Sequence, residues 1–129
     1  MTASKATVVI VTENSDADSL LAGALWLKGM VTYKANNSDD CLNIINELNS
    51  KVDAVVMSDE IAADRSATLI INIKNNRYTK ILVIAGEESA KTRILDYGAD
   101  EFSLKPLSSE NIADKVFSLL VNTQQQSLT

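Results

Sequence analysis

The residues best placed for chemistry are Ser58 and Asp59, which close the run Val52-Asp53-Ala54-Val55-Val56-Met57. The apolar stretch Ala54 to Met57, half of it β-branched, suits a strand buried on both faces at the centre of a helix-covered parallel sheet. In open α/β sheets the working site lies just outside the carboxyl ends of the strands. A hydroxyl and a carboxylate at that point are therefore the first candidates for a site. The chain contains no histidine, which excludes histidine general-base catalysis, histidine metal ligation and phosphohistidine chemistry. Cys41 is the single cysteine, so no internal disulfide forms, as expected of a protein in a reducing, cytoplasmic compartment. Its simplest reading is a small buried apolar residue on a helix.

The elements that must position Ser58 and Asp59 follow from the hydrophobic pattern. A length of 129 residues supports one domain with a single core. That domain is expected over 1–122, with 123–129 a polar tail or the start of a linker. The net charge of -5 argues against nucleic-acid binding, because phosphate contacts need a basic face. No stretch reaches the length of a membrane span, and Met1 to Lys5 has no signal-peptide apolar region.

Ala6 to Val11 reads as a first strand, and Thr12-Glu13-Asn14-Ser15 ends it with turn formers. Ser15 or Asp16 caps a helix whose apolar stripe is Leu20, Leu21, Ala24, Leu25 and Leu27, closed by Gly29. Met30 to Ala35 is a second strand. Asn37 or Ser38 caps a helix bearing Leu42, Ile44, Ile45 and Leu48. The buried third strand follows, then a helix with Leu69, Ile70 and Ile73 facing inward. Lys80 to Ala85 is a fourth strand, as apolar as the third. A short helix carries Ile94 and Leu95 inward and stops at Gly98. Glu101 to Leu104 is a fifth strand, and Ser108 or Ser109 caps a last helix with Ile112, Val116, Leu119 and Leu120. Strand–helix alternation repeated in this way implies a parallel sheet with right-handed crossovers. The expected fold is a flavodoxin-like, doubly wound (βα)5 three-layer sandwich whose five-stranded sheet has the order 2-1-3-4-5.

One stretch is more specific. Gly98-Ala99-Asp100-Glu101-Phe102-Ser103-Leu104-Lys105-Pro106 resembles the ending of response-regulator receiver domains, and the strand and helix spacing resembles theirs over nearly the whole chain. The resemblance places Lys105 on the family's lysine and Phe102 on its aromatic switch position. It implies a pocket in which two acids after the first strand hold Mg²⁺. An aspartate ending the third strand accepts a phosphoryl group, a Ser or Thr ending the fourth contacts it, and the lysine neutralises charge.

This chain departs from that set. The acid pair is Thr12-Glu13, so Glu13 alone is left as a metal ligand, with Asp59 as a weak second. The hydroxyl switch position is Ala85. Counting without gaps puts Ser58 in the phosphoacceptor's place, whereas a slip of one residue puts Asp59 there. The ungapped register is favoured, because a slip moves every side chain of the strand to the other face. The resemblance thus implies a degenerate, pseudo-receiver signalling domain that acts through protein–protein contacts and requires no cofactor. The alternative is a phosphorylatable receiver using Asp59, with Mg²⁺ near Glu13. The partner, or a second copy, is expected on the face made by the fourth helix, fifth strand and fifth helix, about Ser89 to Val121. Lys91, Arg93, Asp96, Asp100, Glu110, Asp114 and Lys115 are its exposed candidates.

Overall fold

The β-branched runs and amphipathic stretches form the alternating pattern that their spacing requires. A computed structural model describes residues 6–12, 15–49, 51–58, 66–75, 78–105 and 108–127. Its elements are β1 (Thr7–Val11), α1 (Ser15–Leu27), β2 (Val31–Ala35), α2 (Ser38–Glu47), β3 (Ala54–Ser58), α3 (Ser66–Lys74), β4 (Lys80–Ala85), α4 (Lys91–Tyr97), β5 (Glu101–Leu104) and α5 (Ser109–Ser127). A 3-10 turn over Glu88–Ala90 leads into α4. All strands are parallel, in the order β2-β1-β3-β4-β5. The doubly wound sheet expected from the sequence is the one observed.

Alternation along each strand sends successive side chains to opposite faces. Val9, Val11, Val55, Met57, Ile81, Val83 and Ala85 share one core with residues of α2, α3 and α4, such as Cys41, Ile45, Ile70 and Ile94. Val8, Ile10, Ala54, Val56, Leu82 and Ile84 face the other way, against Leu21 and Leu25 of α1 and Ile112, Ala113 and Val116 of α5. Every residue of β3 is buried, as its unbroken apolar run implies.

The amino ends of the strands are tied together by polar contacts. Asp53 donates its N–H to the Thr7 carbonyl (2.8 Å), and its carboxylate accepts from the Thr7 N–H (2.7 Å). Thr79 Oγ1 donates to the Val52 carbonyl (2.7 Å). One Asp100 oxygen accepts from both Lys74 Nζ (2.9 Å) and the Ile81 N–H (2.8 Å). Asp100 was expected on an exposed interaction face; its side chain is instead mostly covered and holds β4, β5 and α3 in place.

Several local expectations hold. Asn37 caps α2 by accepting from the Asp40 N–H, and Ser108 caps α5 by accepting from the Asn111 N–H. Gly29 (φ 85°) and Gly98 (φ 120°) end α1 and α4 in the left-handed region. Cys41 is fully buried on α2. Other expectations do not hold. Leu20 and Leu27 of α1 are 70% and 81% exposed, while Leu21 and Leu25 are buried against the sheet with Ala22 and Ala24 packed beside them. Leu95 is at the surface while Ile94 faces in. Apart from these, α5 runs to Ser127 through the glutamine-rich stretch, which holds good helix formers and neither Gly nor Pro. The Ser15 and Asp16 caps, the loop from Glu60 to Arg65, Arg77 and Pro106 concern side chains or segments outside the described residues.

Gly23 sits mid-helix in α1, and a Cβ added there meets nothing within 4 Å. Nothing among the described residues requires a glycine at this point. Gly23→Ala is expected to raise stability by about 0.5–1 kcal/mol, the usual helix-interior difference, measured by urea unfolding. Asp100→Ala strips the buried Ile81 N–H and Lys74 of their shared acceptor and is expected to cost about 1–3 kcal/mol in the same assay.

Candidate functional site

The register of β3 decides which side chains gather at the carboxyl edge of the sheet. β1 and β3 pair with Val11 opposite Met57, so Thr12 and Ser58 come next on the two neighbouring strands. Ser58 pairs with Ile84, and Ile84 pairs with Ser103. Ser58 has the parity of Ala54 and Val56, and it therefore points to the α1–α5 face of the sheet, not to the α2–α3–α4 face. Ser58 is the last residue of β3 and only 4% exposed.

Ser103 lies level with Ser58 and two strands away, roughly 10 Å at normal strand spacing. It is also buried, and its hydroxyl has no hydrogen-bond partner among the described residues. Nothing in the pattern around Glu101-Phe102-Ser103-Leu104 marked it. The available signal was a serine at the inward position of a short strand. Lys105 follows β5, is exposed, and donates its N–H to the Ala85 carbonyl (2.9 Å), which extends the β4–β5 ladder by one bond. Lys34 Nζ reaches over to the Thr12 carbonyl and anchors the end of β1.

Ala85 ends β4 on the opposite face, buried in the core beside α4. Phe102 packs half-buried against that same core. The two positions identified as switch positions thus share one side of the sheet, and the Ser58–Ser103 row lies on the other. Glu13 and Asp59 lie outside the described residues. Among the described residues, no group of three or more His, Cys, Asp or Glu is placed to hold a metal ion. The edge positions beside β1 and β3 offer the hydroxyls of Thr12 and Ser58. Mg²⁺ is held through one or two carboxylates, and the carboxylates expected to hold it, Glu13 and Asp59, lie outside the described residues.

The candidate partner face divides. Lys91, Arg93 and Asp96 on α4 are exposed, as are Leu95 and Leu104. Glu110 and Asp114 are exposed but turn toward α1, where Asp114 pairs with Lys28 (2.7 Å). Lys115 is half-buried.

Five parallel strands in this order, with the site at their carboxyl edge, invite comparison with known proteins. No family model matches the chain, and no curated protein matches it significantly. Solved structures do match. A receiver-domain protein (CheY-like) from Methanospirillum hungatei is 17% identical at a TM-score of 0.83, covering 95% of this chain and 99% of its own. A two-component response regulator from Clostridium difficile is 23% identical at a TM-score of 0.80, covering 92% and 98%. An atypical orphan response regulator described as having a phosphorylation-independent regulatory mechanism is 19% identical at a TM-score of 0.77, covering 88% and 94%. This is the receiver fold. The likeness spans the domain from β1 to α5, and at these identities it is a likeness of fold.

The orphan hydroxyl yields a test. A buried, unpaired polar group carries a desolvation cost with no compensating bond. Ser103→Ala is expected to leave stability unchanged or raise it by about 1 kcal/mol, measured by urea unfolding. A loss of more than that amount would mean that the hydroxyl has a partner.

Proposed function

We propose that this chain is a receiver-like signalling module that works through protein–protein contacts and does so without aspartyl phosphorylation. The observation that carries the reading is the register of β3, which brings Ser58 to the strand end level with Thr12 and Ile84. Phosphoryl transfer to a receiver needs a carboxylate nucleophile, a cation to neutralise the phosphoryl oxygens and a hydroxyl to sense the product. A serine hydroxyl is a weak nucleophile without a base, and the chain has no histidine to act as one. Ala85 is buried against α4 and has no donor to offer a phosphate. In this reading Lys105 is an electrostatic fixture of the pocket rim, and Phe102 is held as a packing residue instead of switching.

The fold supports a signalling role. The atypical orphan regulator among the structural neighbours provides a precedent for control without phosphorylation. The face of α4 and β5 is the proposed partner surface. It combines exposed Leu95 and Leu104 with charges of both signs from Lys91, Arg93 and Asp96. Apolar centres with polar rims are typical of recognition surfaces.

Intact mass after incubation with acetyl phosphate and Mg²⁺ tests the proposal. The expected result is an unchanged mass, with no saturable change in Trp26 fluorescence on titration with beryllofluoride. A phosphoryl adduct that disappears in Asp59→Asn would overturn it in favour of a phosphorylatable receiver with Mg²⁺ near Glu13.

A further inference from the structure

We draw no further inference here: the strongest candidate, the exposed apolar surface of α1 formed by Leu20, Trp26 and Leu27 around Gly23, is an unpartnered helix face, and nothing in the structure shows what covers it.

Discussion

The position of β3 in the sheet is the constraint on which the rest of the structure depends. Asp53 fixes it at the amino end by exchanging two hydrogen bonds with Thr7, one through its backbone and one through its carboxylate. Its carbonyl accepts from the Lys80 N–H on the other side (2.9 Å). With both neighbours pinned, the strand cannot slip. A slip of one residue would move Val55 and Met57 out of one core and Ala54 and Val56 out of the other. The position of Ser58 as the last residue of β3 is thus tied to contacts at the opposite end of the strand. Core packing and candidate chemistry are decided together.

This coupling explains how a scaffold can persist while its pocket changes. The buried runs of β1, β3 and β4 need only apolar side chains of suitable size, and they have them. Thr12 and Ser58 close their strands with small hydroxyl side chains, and Ala85 closes β4 as a small apolar residue within one of the two cores. Asp100 shows the converse. It belongs to the same sequence stretch as Lys105 but lies at the amino edge, where it satisfies a backbone N–H and a lysine. A residue that looks functional by its place in a motif is in this case part of the frame.

Much of this was legible along the chain. Strand–helix alternation and the unbroken apolar runs of β3 and β4 implied a parallel sheet covered on both faces, and the structure has it. Asn37, Gly29 and Gly98 acted as local signals, because capping and positive φ are properties of a few consecutive residues. The first helix was read less well. Leu20, Leu21, Leu25 and Leu27 form a wide stripe on a helical wheel, and a wide stripe does not say which edge of it meets the sheet. Ser103 was invisible for a similar reason, since a serine on a short strand is ordinary until its hydroxyl proves to be buried and unpaired.

The sequence by itself determined the elements, their order, the two-faced core and the absence of histidine chemistry. These follow from periodicity and composition, which act locally or over the whole chain at once. Only the tertiary structure decided that Ser58 shares a face with Ser103, that Ala85 and Phe102 share the other, that Glu110 and Asp114 turn to α1, and that Asp100 is a structural tie. Each of these is a relation between strands or helices distant in sequence. Such relations are set by register and by the orientation of packed helices, and no run of consecutive residues encodes them.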